Sequence, residues 1–188
     1  MIKDLGELEP LEIYKLISNN IIPRPIAWIV TEHNDIVNIA PFSYFAPISS
    51  EPPLVVVSIG YKNDGTPKDT LYNIKKTKKC TICMVNESNL KKMHYTSKPL
   101  DKNTSEAEEF NIKTIKRLDN FPPTIQGIST AFFCEFNQEI TIKEKGTNPL
   151  ILEIKYIFKD DKNNQLPISR ISKNYAQIGR NLEVPDIP

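Results

Sequence analysis

Pro23-Arg24-Pro25-Ile26-Ala27-Trp28-Ile29-Val30-Thr31 leads, across a short polar break, into Asn38-Ile39-Ala40-Pro41-Phe42-Ser43-Tyr44-Phe45. Ser49-Ser50-Glu51-Pro52-Pro53 and Lys68-Asp69-Thr70-Leu71-Tyr72-Asn73-Ile74 follow. Pro23 and Pro25 hold the chain extended, and Ile26 to Val30 reads as a buried strand. His33-Asn34-Asp35 supplies a turn, and Ile36 to Tyr44 returns as a second strand, a hairpin signature. Leu54 to Ile59 is a nearly continuous apolar run, which predicts a third strand buried on both faces. Asn63 to Pro67 is loop. Asp69 then predicts the cap of a helix running to about Lys78, with Leu71, Ile74 and the stem of Lys75 facing inward. Cys80 to Val85 makes a fourth strand.

Upstream, Leu11, Ile13, Tyr14, Leu16 and Ile17 share one face of a helix over Leu11 to Ser18, which Asn19-Asn20 ends. Downstream, Leu90 to Met93 fits a short helix, and Ser105-Glu106-Ala107-Glu108 fits a capping box. Phe132, Cys134 and Phe136 alternate, and Ile140 and Ile142 resume in shifted phase. That shift predicts a bulge near Asn137-Gln138. After a turn at Gly146 to Pro149, Leu150 to Phe158 alternates as a further strand. A short strand at Ile168 to Ile171 and a tail to Pro188 complete the chain. The sum is a mostly antiparallel β-barrel with peripheral helices, in one domain over residues 1–188.

The chain has 188 residues and a net charge of +1, with both signs mixed along it. No long basic stripe supports nucleic-acid binding. The Lys75-Lys76-Thr77-Lys78-Lys79 cluster sits at a helix C-terminus, where it complements the dipole. The acidic N-terminus is unlike a signal peptide, and no apolar run has the length of a bilayer span. Three cysteines do not suggest a disulfide framework. A soluble, cytoplasmic protein is expected, without membrane partners.

The strand Asn38 to Phe45 is poorly made for a sheet, because Pro41 has no N–H and breaks the ladder. The groups freed beside it can pair with the edge of a heteroaromatic ring. Ser43 adds a donor, and Phe42, Tyr44 or Phe45 can cover the ring face. An edge strand with a proline bend is the competing reading. Lys68-Asp69-Thr70 lies at a helix start, where N–H groups and the dipole favour an anion. Lys68 would supply charge, Thr70 a hydroxyl and Asp69 the cap; an ordinary N-cap beside a solvated lysine is the alternative. Cys80 and Cys83, three apart in an apolar strand, point to opposite faces and read as buried structural cysteines, and no His cluster completes a metal site. Trp28 reads as core or dimer interface. His33 reads as a turn residue and His94 has no assigned role. With six glycines and no phosphate loop, a classical nucleotide-binding α/β sheet is not expected. No catalytic acid or base is identified.

These blocks, in this order, resemble the flavin reductase-like domain family, including its flavoredoxin-like members. The likeness continues through Asn86, Met93 to Ser97, Glu108-Glu109-Phe110 and Leu166 to Ile171, ending at Asn174-Tyr175-Ala176. It implies a homodimer of a six-stranded Greek-key split barrel with FMN near the subunit interface. By that resemblance Asn38, Ala40, Pro41, Phe42, Ser43 and Tyr44 lie along the isoalloxazine and ribityl chain, with Thr31 near the ring. Lys68, Asp69 and Thr70 lie at the phosphate, Asn73 behind them, Ser58 in the same pocket, and Arg24 at the phosphate or the partner subunit. Ser172-Lys173-Asn174-Tyr175 departs from the Gly-Gly-Tyr of relatives.

Two activities follow from the resemblance. One is an enzyme in which NAD(P)H gives hydride to bound FMN. The other is an FMN-binding electron carrier, served by a redox partner, without its own NAD(P)H site. A dimer is also expected because one barrel leaves Trp28 and the aromatics at Phe42 to Phe45 hard to bury.

Overall fold

The computed structural model describes residues 2–62, 64–142 and 147–179. Helix α1 (Pro10–Asn20) begins with a proline at its first turn, and Glu9 and Glu12 close a reciprocal capping box. Its apolar side stays outside: Leu11, Tyr14 and Ile17 are exposed, and Ser18 is its buried residue.

The chain continues as β1 (Arg24–Pro25), β2 (Ala27–His33) and β3 (Ile36–Phe42). Asn34 and Asp35 have φ of 51° and 60°, the left-handed pair of a two-residue hairpin loop. β2 and β3 pair without a slip from Ala27–Phe42 to His33–Ile36. Pro41 therefore does not break the ladder as its sequence predicts; it sits opposite Trp28. The Ile39 N–H points away from β2, to the Glu106 carboxylate. Pro41, two residues on, has its nitrogen on that same open side, where no ladder bond is lost.

No strand is predicted over β4 (Phe45–Ser50), yet it forms and pairs with β5 (Pro53–Ser58). It is an edge, exposed from Ala46 onward, which is where Pro47 is tolerated. In β5, Val55 and Val57 are buried whereas Leu54, Val56 and Ser58 are half-buried, so the expected burial of both faces is corrected to one.

Helix α2 (Asp69–Thr77) precedes β6 (Lys79–Met84). Lys75 and Lys76 lie in its last turn, as the dipole favours, and Lys75 pairs with Glu139 at 2.6 Å. Next come α3 (Leu90–Tyr95), α4 (Glu106–Glu109), β7 (Thr114–Ile115), β8 (Thr124–Ile125), β9 (Thr130–Glu139), β10 (Pro149–Lys159), β11 (Ser169–Ile171) and β12 (Asn174–Ala176). Ile151 pairs with Gln138 and Leu152 with Phe136, so Asn137 is the bulged residue, where the phase shift predicts it. β9 ends at Glu139, short of the Ile142 that alternation suggests. Part of the predicted Gly146 to Pro149 turn, and the tail from residue 180, lie outside the described residues.

The main sheet is antiparallel, in the order β3-β2-β6-β9-β10-β5-β4. The expected six-stranded split barrel is corrected in strand number alone, to seven strands in a sheet left open between β3 and β4. The extra strand is the proline-bearing edge β4. Both faces of β2 are buried. Ala27 and Ile29 join one core with Leu71, Ile74, Val57 and Leu150. Trp28 and Val30 join a second with Ile39, Met93, Ile125 and Ile168. Cys80 belongs to the first core and Cys83 to the second, on opposite faces as their spacing requires. Trp28 is 0% exposed, and Phe42 and Phe45 are buried within one chain, so these residues do not themselves call for a partner.

Candidate flavin cleft

Helix α2 is held on the β2–β3 hairpin by four polar side chains. Thr31 and Asn38 are directly opposite each other across the hairpin, so both face the same way. Thr70 and Asn73, three residues apart, share the facing side of α2. Asn38 Nδ2 donates to Thr70 Oγ1 at 2.9 Å, and Asn73 Nδ2 donates to Thr31 Oγ1 at 3.0 Å. All four are buried. This is a satisfied polar patch at the margin of an apolar core, and it fixes the start of α2 against the outer half of β3.

A cleft of about 630 Å³ opens there. Asn38, Ala40, Pro41 and Phe42 form its β3 wall, and Lys68, Asp69 and Thr70 its helix-start wall. Thr70 accepts from Asn38, which leaves its own hydroxyl proton uncommitted by that bond. Lys68 is the N-cap residue, with no side-chain cap bond; its ammonium lies 5.9 Å from the Phe42 ring centroid. The expected Asp69 cap is corrected: Asp69 is the first helical residue, and its carboxylate pairs with Lys62 at 3.0 Å. Its charge is already used, which leaves the N–H groups of α2 and Lys68 facing the cleft.

The remaining candidates lie elsewhere. Thr31 is fully buried behind Asn73, at the back of the cleft. Arg24, Ser43, Tyr44 and Ser58 line a second cleft of about 390 Å³, walled by Ile17, Ile21 and Phe45. Arg24 donates to the Ser18 and Ile21 carbonyls and, at 3.4 Å, to Ser43 Oγ. Its guanidinium thus satisfies the last carbonyls of α1 and favours the negative end of that helix. Near the C-terminus, Ser172 takes a left-handed turn position with φ of 46°. Tyr175 OH meets His94 Nδ1 at 2.8 Å.

Sequence reading misses the third wall. Tyr61, Lys62 and the segment from Thr96 to Leu100 line the cleft, and so does Glu106. The Ser105 to Glu108 pattern predicts a capping box, but Ser105 makes no cap bond. Instead its hydroxyl donates to the Val37 carbonyl at 2.7 Å, and Glu106 Oε2 accepts from the Ile39 N–H at 2.9 Å. The start of α4 thereby completes the outer edge of β3. Burial raises the Glu106 carboxyl above its ordinary value, and Asp69 adds to that while the Ile39 N–H and Lys62 oppose it.

A planar ligand carrying one phosphate fits this set of donors. Pro41 and Phe42 supply a flat apolar wall, and Thr70, Lys68 and the α2 start supply anion contacts. A second phosphate finds no glycine-rich loop. Among the described residues no cluster of His, Cys, Asp and Glu could hold a metal ion, and no helix is long and apolar enough to cross a membrane.

Comparison with known proteins gives the family and the fold. The family described as flavin reductase like domain matches residues 19–178. An uncharacterized protein of Halalkalibacterium halodurans is 31% identical over 183 residues, covering 89% of this chain and 88% of its own. Nitrilotriacetate monooxygenase component B from Bacillus cereus superposes with a TM-score of 0.89 at 26% identity, over 98% of both chains. A proposed flavin reductase with a split barrel domain from Shewanella frigidimarina superposes with a TM-score of 0.82 at 20% identity, over the full length of both. The last likeness identifies the open seven-stranded sheet as a split-barrel fold.

Proposed function

The chain belongs to the flavin reductase-like domain family, and on that premise we propose that it is an FMN-binding NAD(P)H:flavin oxidoreductase. The observation that carries the reading is the α2 start, where Lys68 and the Thr70 hydroxyl meet one apolar β3 wall in a single cleft. One anion site suits FMN; the second phosphate of FAD would have no equivalent set of donors. Bound flavin would supply the two-electron chemistry, accepting hydride and passing electrons on.

The protein's share is binding and orientation. Lys68 would neutralise the phosphate and Thr70 would donate to it, beside the Lys62–Asp69 ion pair in the same cleft. Asn38, Ala40, Pro41 and Phe42 hold the ring and ribityl chain. Asn73 and Thr31 act from behind by fixing α2. Arg24, Ser43, Tyr44 and Ser58 form the neighbouring cleft, which a second copy of the chain would adjoin in a homodimer. The unburied apolar face of α1 and the exposed Tyr44 support that assembly.

Anaerobic stopped flow on the FMN-loaded protein tests the reading. Rapid bleaching of the flavin by NADH or NADPH is the expected result. Bound FMN that neither nucleotide reduces would identify an electron carrier instead. Equal or tighter binding of FAD would remove the single-phosphate argument.

A further inference from the structure

Glu106 is 7% exposed and belongs to a four-residue helix packed on the edge of the sheet. One carboxylate oxygen is fixed by the Ile39 N–H at 2.9 Å. The same side chain lines the cleft that holds Lys68, Asp69 and Thr70. A glutamine or a serine could satisfy one strand-edge N–H without bringing a charge into a cleft built for an anion. We propose that Glu106 sets which charge state of ligand the flavin cleft accepts: protonated, it lets a phosphate group settle at Lys68 to Thr70, and ionised, it opposes it.

The inference rests on the flavin reading of the cleft and deepens it. Charges facing Glu106 come from two sides. Asp69 on α2 repels its ionised form, and Lys62, ion-paired with Asp69 at 3.0 Å, attracts it. β3 contributes no titratable side chain, because Ile36–Phe42 contains none. Asp64, Lys68 and Lys98 complete the charged lining, and Glu108 and Glu109 on α4 itself are exposed. The Lys62–Asp69 pair is internally neutral, so ionising Glu106 adds one net negative charge to the cleft. Burial shifts that ionisation upward from the ordinary glutamate range and toward working pH.

Linkage requires the reciprocal effect. If the Glu106 charge opposes the phosphate, bound FMN must make that carboxyl harder to ionise, by the same factor. Riboflavin, with the same ring and no phosphate, must leave it nearly unchanged. The phosphate titrates as well, near pH 6, so the informative quantity is a ratio between variants at each pH.

The experiment measures dissociation constants of FMN and riboflavin across the acid-to-alkaline range for wild type and Glu106→Gln. Glutamine keeps an acceptor for the Ile39 N–H and carries no charge. Above the Glu106 titration the variant should bind FMN about 3- to 10-fold more tightly than wild type, as expected for one partly screened like charge across a cleft. Below it the two should converge, and riboflavin should show no difference at any pH. An FMN ratio that does not change with pH, or an equal change for riboflavin, overturns the proposal. Should the variant fail to fold, carboxyl titration of Glu106 in wild type, followed by carbon NMR, gives the same answer. An upward shift with FMN and none with riboflavin is expected; equal shifts overturn it. Wild type that binds neither flavin refutes the flavin reading itself, and this proposal with it.

Discussion

Asn38 Nδ2 donates to Thr70 Oγ1 over 2.9 Å, joining the outer strand of the sheet to the first turn of α2. Both residues are buried and both line the cleft. The bond therefore serves stability and ligand geometry together. Thr70→Val keeps the volume and removes the acceptor, leaving an amide N–H buried without its partner. The cost should be about 1–3 kcal/mol in urea unfolding. Thr70→Ser should recover most of it. FMN affinity should fall in the valine variant alone, because valine also lacks the hydroxyl that the proposed phosphate contact needs.

Lys68 tests the anion site directly. It is exposed, and among the described residues it has no ion-pair partner. Lys68→Ala should remove a charge-assisted contact worth about 1.5–3 kcal/mol. FMN binding then weakens about 10- to 150-fold, while riboflavin binding holds. A solvated lysine predicts losses within about 0.5 kcal/mol for both ligands. A parallel fall for both would indicate damage to the fold.

The legible part of the site was local. Lys68 to Thr70 follow one another at a helix start, and Asn38 to Phe42 lie along one strand, so pattern alone brings each group together. What sequence could not supply was the open edge of β3. Pro41 reads as a ladder breaker until Ile39 N–H is seen facing away from β2, toward Glu106. Glu106 itself was hidden by a better-known local pattern, because Ser105-x-x-Glu108 mimics a cap while its bonds run to Val37 and Ile39. The β4 edge was missed for a related reason: Ala46, Pro47, Ser49 and Ser50 have weak strand propensity, and pairing with β5 overrides it.

The second copy expected of this chain should use α1. Leu11 is 61% exposed and Tyr14 53%, on a helix whose capping and length are otherwise well made. Trp28, Phe42 and Phe45 need no partner, so the proposed dimer would draw instead on exposed apolar residues such as those of α1 and Ile48 of β4. Sedimentation should give a dimer for wild type. Tyr14→Glu with Ile17→Glu should shift it toward monomer while the thermal midpoint changes little, since neither side chain is buried in one chain. A wild-type monomer holding FMN at micromolar concentration would refute the dimer.

Glu106 also makes stability depend on pH, with a definite sign. Its carboxyl is raised in the folded state, so the folded chain holds the proton more tightly than the unfolded chain does. That contribution is fully present below the unfolded glutamate value, about 4.3, and is lost as pH rises through the folded value. Glu106→Gln cannot ionise and should lack this loss. The difference in unfolding midpoint between variant and wild type should therefore grow in the variant's favour from acid to neutral pH, without ligand. A constant difference would mean that Glu106 is not perturbed.

Trp28 is the sole tryptophan, and its indole N–H donates to Thr96 Oγ1 at 2.9 Å. The Thr96 hydroxyl donates to the Met93 carbonyl at 2.8 Å, so one side chain satisfies two buried groups at the end of α3. Thr96 also lines the cleft at the start of α2, which ties the second core to the candidate site. Thr96→Val preserves shape but leaves the indole N–H without an acceptor in a core where Trp28 is 0% exposed. The loss should be about 1–3 kcal/mol, and Thr96→Ser should restore it. Because no other indole contributes, the emission spectrum reports this one contact. A blue shift in the valine variant, reversed in the serine variant, is the expected signature of losing the hydrogen bond. If the valine variant unfolds at the wild-type midpoint with an unchanged spectrum, the indole does not depend on Thr96.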